Sequence, residues 1–253
     1  MSLDLSMFGS RVLGVFAHPD DEVFCAGTLR ASLEAGKTVE LLYLHSTPVR
    51  AQENQCAVRL LGLKPGQVRY YSAPDGNFHR ELASIIQTLR SEFDRFEPDT
   101  VLVPAFEQGH PDHDSLNFAV RKAFDGQVLE TPLYGPYCKR VQLMGCFGDQ
   151  REAVTFHMGD TVLLLKSRML SCYLSQSLKQ WWALYRLKEG ALRGKAQLGS
   201  VEYWAEVQKS RDYSEPMVPA RLKEVVRHSP KWLEWRSAVN ELIVPPAKNQ
   251  NHV

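Results

Sequence analysis

The chain has 253 residues, 44% of them hydrophobic, with 30 basic and 29 acidic side chains and a formal net charge of +1. That balance gives no bulk electrostatic attraction to nucleic acid or to an anionic lipid surface. No apolar run approaches the ~18 residues that a membrane-spanning helix needs, so no integral membrane segment is expected. The opening "MSLDLSMFGSR" lacks the basic and apolar regions of a secretory signal. Five cysteines (Cys25, Cys56, Cys138, Cys146 and Cys172) are scattered, with no C-x-x-C pair. They suit a reduced, cytoplasmic protein better than a disulfide framework.

Short apolar runs alternate with segments of helical period. "RVLGVFA" (11–17) reads as a buried strand closed by a Pro-Asp turn, and "VFCAGTLRASLEAG" (23–36) as a helix stopped at Gly36. "TVELLYLH" (38–45) is the next strand, followed by a helix over 50–62 that ends at a glycine. "VRYYS" (68–72) is a third strand, after which "APDGNF" reads as a turn. Residues 80–96 form a strongly periodic helix, with Leu82, Ile85, Ile86, Leu89 and Phe93 on one side. "DTVLVPA" (99–105) is a fourth strand, and a further helix is expected over 115–124. Four successive strand–helix units predict a Rossmann-like, three-layer α/β fold: a mostly parallel sheet with helices on both faces.

Beyond residue 125 the pattern is less regular. "REAVTFHM" (151–158) suggests another strand and 160–174 a helix. With no repeat or linker, the economical reading is one domain over 1–253. Its core spans about 11–176, residues 177–245 form a packing or substrate-cleft extension, and 246–253 fray. "QSLKQWWALYRLKEGALRGK" (176–195) carries Trp181, Trp182, Tyr185 and Lys188. These side chains suit packing first and sugar stacking second.

Two stretches carry unusual chemistry. "HPDDE" begins at residue 18, directly after the first strand, and "GHPDHD" at 109, just after the fourth. In open parallel sheets, ligands bind outside the carboxyl ends of the strands, so both stretches should open onto one edge. His18 and Asp21 are three residues apart, as are His110 and His113. Either pair could share the face of a helical turn and converge on one ion. A mixed imidazole–carboxylate set suits zinc, which commonly takes three protein ligands in catalytic sites. If Asp21 is a ligand, Asp20 points elsewhere and is free to act as a base. Helix capping is the competing explanation for Asp20, Asp21 and Glu22, but it does not account for three histidines. A dinucleotide site is disfavoured, because "GVFAHPDD" has no G-x-G-x-x-G.

With both motifs in view, the chain resembles the LmbE-like (PIG-L-type) zinc-dependent N-acetylglucosamine deacetylases. "AHPDDE" (17–22) and "HPDH" (110–113) match that family's two signatures. The helix holding Arg50 and Glu53, "PDG" at 74–76 and "YLSQ" at 173–176 agree in order. The resemblance implies hydrolysis of an N-acetyl or other N-acyl group from an amino-sugar or glycoconjugate substrate, with one zinc ion or another divalent metal. By motif position, His18, Asp21 and His113 would hold the metal. Asp20 would be the general base, a protonated His110 would face the oxyanion, and Asp112 would orient a histidine. Arg50 and Asp75 fall where family members contact substrate. At Gln108 one branch of the family, that of the mycothiol pathway, has a tyrosine, so Gln108 is expected to supply a hydrogen bond to substrate instead. Zinc phosphoesterase activity, or a catalytically silent sugar-binding role, are the alternatives. Homo-oligomerisation is left open by the sequence.

Overall fold

The computed structural model describes residues 4–138, 142–193 and 197–243. The C-terminal segment expected to fray lies outside the described residues. β1 (Arg11–Phe16) is buried along almost its whole length and pairs in parallel with β2 (Thr38–Tyr43), Val12 opposite Val39. A tight 3-10 turn over Asp21–Cys25 leads into α1 (Ala26–Glu34) between these strands. α2 (Pro48–Leu61) starts where the Thr47 side chain accepts a hydrogen bond from the Arg50 N–H at 3.2 Å, with Pro48 at its first position. It stops at Gly62, whose left-handed φ of 107° has no Cβ penalty.

β3 (Val68–Tyr70) adds to β2, and α3 (Leu82–Phe96) lays its apolar stripe on the sheet. All five residues of the expected stripe, Leu82, Ile85, Ile86, Leu89 and Phe93, are buried. β4 (Thr100–Pro104) pairs with the other side of β1, so the connection reverses direction between β1 and β4. That reversal opens the crevice in which ligands bind in doubly wound sheets. α4 runs Pro111–Ala123, four residues earlier than the 115 start expected from sequence. Proline is pre-organised for a first helical position, and this moves the whole "HPDH" motif onto the helix N-terminus.

β5 (Gln127–Thr131) completes the parallel part of the sheet. A small hairpin follows, β6 (Tyr134–Gly135) with β7 (Leu143–Met144). β8 (Val154–His157) and α5 (Asp160–Leu170) come next, then α6 (Leu178–Arg193). β9 (Val201–Glu206) then enters the main sheet antiparallel to β5 and to β8. α7 (Ala220–Arg227) and α8 (Pro230–Ile243) end the described chain. The seven-stranded order is β3-β2-β1-β4-β5-β9-β8, with a hydrophobic core on each face.

The C-terminal third is therefore part of the core. Trp204 of β9 is buried in one layer, with its indole N–H donating to Thr28 Oγ1 at 3.0 Å. Trp232 and Trp235 of α8 fill the other layer. Two buried carboxylates fasten this region to the parallel sheet. Glu130 of β5 receives Arg151 Nη1 at 2.5 Å and Arg211 Nη2 at 2.6 Å. Glu202 of β9 accepts the Gly27 and Thr28 N–H groups, both at 2.8 Å, and pairs with Lys166 at 2.6 Å. It thereby satisfies donors at the start of α1 that the helix itself leaves open.

Candidate metal and catalytic site

The carboxyl ends of β1 and β4 bring "HPDDE" and "HPDH" together in a cavity of about 290 Å³. His18, Asp20, Asp21 and His110 all line it. Donor atoms of His18, His110 and His113 lie within 4.8 Å of one another, as do those of His18, Asp75 and Asp112. Asp21 joins through His113, with Oδ1 3.3 Å from Nε2. Its other oxygen accepts the His18 backbone N–H at 3.0 Å. The set expected from sequence, His18, Asp21 and His113, thus shares His18 and His113 with the first gathered trio, which is completed by His110.

His113 is almost fully buried, yet neither ring nitrogen makes a hydrogen bond. Buried imidazole nitrogens rarely stay unpartnered in the absence of a further ligand. Burial opposes ionisation of Asp21, but the neighbouring His113 and His18 outweigh it and bring its pKa down to about 2. An ionised carboxylate beside His113 and His18 is a donor set that fits a zinc-type divalent cation.

The electrostatics of the histidines separate sharply. Burial lowers the His18 pKa, but the Asp112 and Asp75 carboxylates raise it further, to about 10. His18 Nε2 lies 3.2 Å from Asp112 Oδ2 and 3.0 Å from Asp75 Oδ1. His110 goes the other way. Burial, then the charges of His113 and His18, lower its pKa to about 4. Its Nδ1 accepts the Asp112 N–H at 3.2 Å, which leaves the proton of a neutral ring on Nε2. Where a protonated His110 is expected from sequence, this environment favours a neutral imidazole that can donate through Nε2–H.

Asp20 is held at a left-handed φ of 119°. Burial and the neighbouring Asp21 push its pKa well up, while Arg50 opposes the rise. Arg50 Nη2 donates to Asp20 Oδ2 at 3.0 Å and to Gln176 Oε1 at 2.9 Å. Asp112 is wholly buried, and its carboxylate accepts the Gly76 N–H at 2.7 Å and the Phe78 N–H at 3.0 Å. It ties the "PDG" loop, and with it Asp75, to the histidines.

A family model described as "PIG-L: GlcNAc-PI de-N-acetylase" matches residues 13–124, the span that holds both motifs. Residues 13–124 are thus similar to a PIG-L-type, or LmbE-like, domain. No curated protein matches the chain significantly. Solved structures share the fold at low identity. A deacetylase of the teicoplanin biosynthetic pathway aligns at TM-score 0.62 and 19% identity, covering 80% of this chain and 100% of that one. The N,N'-diacetylchitobiose deacetylase of Pyrococcus horikoshii aligns at TM-score 0.52 and 16% identity, over 79% and 84% of the two chains. The 4-carboxy-2-hydroxymuconate hydratase of Pseudomonas putida aligns at TM-score 0.53 and 14% identity, over 78% and 96%.

Outside the two signatures, the matched segment meets the rest of the chain at the site. "YLSQ" packs on α2: Tyr173 donates to Glu22, Ser175 N to Glu53 at 2.8 Å, and Gln176 receives Arg50. Arg50, expected to contact substrate, lines the cavity but spends Nη2 on Asp20 and Gln176. Gln108 is wholly buried and absent from the cavity lining, with both side-chain polar atoms unpartnered. Its backbone adopts a positive φ of 53°.

A phenol reaches the cavity from elsewhere. Tyr134 of the small hairpin lines it with its ring centroid 5.2 Å from that of His113. A two-residue strand carries no periodic signal, so sequence gave no pointer to it. His45, which no spacing rule selected, stands 5.9 Å from His18, ring to ring. Phe24, Leu178 and Trp181 form an apolar wall, and Trp181 remains 62% exposed at the mouth. Its neighbour Trp182 is buried against Phe24, at 5.2 Å between centroids.

Proposed function

We propose that the protein is a metal-dependent amidohydrolase that removes an N-acetyl group from an amino-sugar-containing substrate. The observation that carries the reading is the pairing of a half-buried carboxylate, Asp20, with the three-histidine cluster at one sheet edge. His18, Asp21 and His113 would hold the ion and leave Nε2–H of His110 free to donate. When bound, the ion supplies Lewis acidity, which brings a water's pKa towards ~7 and polarises a carbonyl.

Asp20 takes the proton from the attacking water. Burial and the neighbouring Asp21 raise its pKa, the direction that favours proton uptake by a general base. The same carboxyl group then passes that proton to the departing amine, so amide and water become acetate and amine with no net change at Asp20. Neutral His110 donates Nε2–H to the developing oxyanion, and Asp112 fixes its tautomer through the helix N-terminus. Arg50 keeps Asp20 aimed at the cavity. Trp181 offers a flat apolar face suited to a sugar ring or an apolar aglycone.

Phosphate ester hydrolysis fits less well. Among the described residues Arg50 is the one Arg or Lys lining the cavity, and it is paired with Asp20. Three carboxylates, Asp20, Asp21 and Asp75, also line the cavity. A silent sugar-binding role would leave a candidate base and ligand set without use. Among the described residues no helix is long and apolar enough to cross a membrane.

The test is acetate release by metal-loaded protein across N-acetylglucosamine, N,N'-diacetylchitobiose and N-acetylglucosaminides with apolar aglycones. Cleavage of at least one is expected. No cleavage with metal bound would sink the reading, and water addition to an unsaturated carboxylate would move it to hydratase chemistry.

A further inference from the structure

Glu22 takes no part in the chemistry above, yet it is 0% exposed at the heart of the site. From sequence it is merely a first-turn acid. In the structure both its oxygens are engaged. Oε2 accepts the backbone N–H of Asp20 at 2.9 Å. Oε1 accepts the Tyr173 hydroxyl and, at 3.4 Å, Asn54 Nδ2. Asn54 also donates to the Tyr173 and Tyr43 hydroxyls, at 2.6 and 3.0 Å, and accepts the Tyr70 hydroxyl at 2.7 Å.

The residue that Glu22 grips is the strained one. Asp20 adopts φ 119°, ψ −24°, a region that glycine enters freely and a residue with a Cβ avoids. Glycine would relieve the strain but would remove the carboxylate. A chain that needs both the backbone turn and the acid must hold the turn by other means, because such conformations persist only where their surroundings over-determine them.

We propose that Glu22 is a positioning residue that locks Asp20 in its left-handed conformation through the Asp20 N–H, with Tyr173 and Asn54 fixing Glu22 in turn. This rests on the reading of Asp20 as the base. It also gives the distant "YLSQ" stretch a task. Tyr173 secures the Asp20 backbone through Glu22, and Gln176 secures the Asp20 carboxylate through Arg50. One segment thus holds the base at both ends.

The experiment uses the full metal-loaded chain. Glu22→Ala is expected to lower kcat for acetate release about 10²-fold, the scale of a 1 Å misplacement, with KM and metal content little changed. Glu22→Gln keeps one acceptor for the Asp20 N–H and should recover most of that loss. In an Asp20→Asn background, Glu22→Ala should cost nothing further, because both changes act on one group. A general folding role would instead add its loss in either background and follow the melting temperature. Should Glu22→Ala not fold, Tyr173→Phe carries the same cycle, with a loss of about 10-fold expected, the scale of one lost hydrogen bond.

A crystal structure of Glu22→Ala or Tyr173→Phe separates this inference from the parent reading. Relaxation of Asp20 out of the left-handed region is expected even if no acetyl substrate is found. An unchanged Asp20 φ, wild-type kcat in an enzyme that Asp20→Asn inactivates, or additive losses in the double variant would each overturn it. Wild-type turnover in Asp20→Asn would instead remove the base assignment, leaving the Asp20 conformation to decide the positioning claim.

Discussion

Asp112→Ala tests whether the site is held together from the α4 N-terminus. The carboxylate is fully buried and accepts two backbone N–H bonds, from Gly76 at 2.7 Å and Phe78 at 3.0 Å. Its Oδ2 also stands 3.2 Å from His18 Nε2. Truncation leaves two donors in a protein environment without an acceptor, at about 1–3 kcal/mol each. It also removes one of the two carboxylates that stand beside His18. The sum is about 3–6 kcal/mol, a large part of the ~5–15 kcal/mol that a domain has in total. Urea unfolding should show a lower midpoint with an unchanged slope. Hydrogen exchange at Gly76 and Phe78 should accelerate selectively, because these amides lose their partner. Asp112→Asn, which keeps one acceptor, should lose about half as much. A stability change under about 1 kcal/mol, with both amides still protected, would refute the reasoning.

Three further outcomes follow from the same geometry. Glu130→Gln should cost about 3–5 kcal/mol, because Arg151 and Arg211 lose the charge that compensates both of them in the core. Burial opposes ionisation of Glu130, but the two arginines outweigh it and lower its pKa. Its contribution is therefore present above the ordinary glutamate range and lost as pH falls through its depressed value, so unfolding curves of variant and parent should converge only at pH below that ordinary range. His110→Ala should reduce kcat by about 10²–10³, as loss of an oxyanion donor does, while unfolding shows only the ~1 kcal/mol expected of a lost N-cap. Gly109→Ala would set a Cβ 1.6 Å from the Tyr134 carbonyl oxygen. Expressed protein should show a lowered melting temperature and loss of acetate release together, and a wild-type melting curve would contradict the close approach.

The parallel half of the sheet was legible because its strands are apolar runs and its helices carry clean periodicity, α3 above all. β5 and β9 were not. Each buries a glutamate, Glu130 and Glu202, which a local reading takes as a sign of exposure. The arginines and lysine that make those charges tolerable lie 21–81 residues away in sequence or, for Lys166, on α5. The same logic governs the site. His18, Asp20, Asp21, His110 and His113 stand out by density and position after two strands. The lowered pKa of His110 depends on burial and on two neighbouring rings, which no spacing reveals. The purpose of Glu22 depends on Tyr173, 151 residues away. Tyr134 enters through a hairpin too short to leave a pattern.

The central claim is that one metal ion, held where the two His-Pro-Asp stretches meet, is needed for amide hydrolysis. Its most direct test is acetate release measured on protein stripped by a chelator, then titrated with zinc while bound metal is counted. The account predicts loss of activity on stripping and recovery that saturates at one ion per chain. Full turnover by metal-free protein, or no binding at His18, Asp21 and His113 under conditions that support turnover, would contradict it.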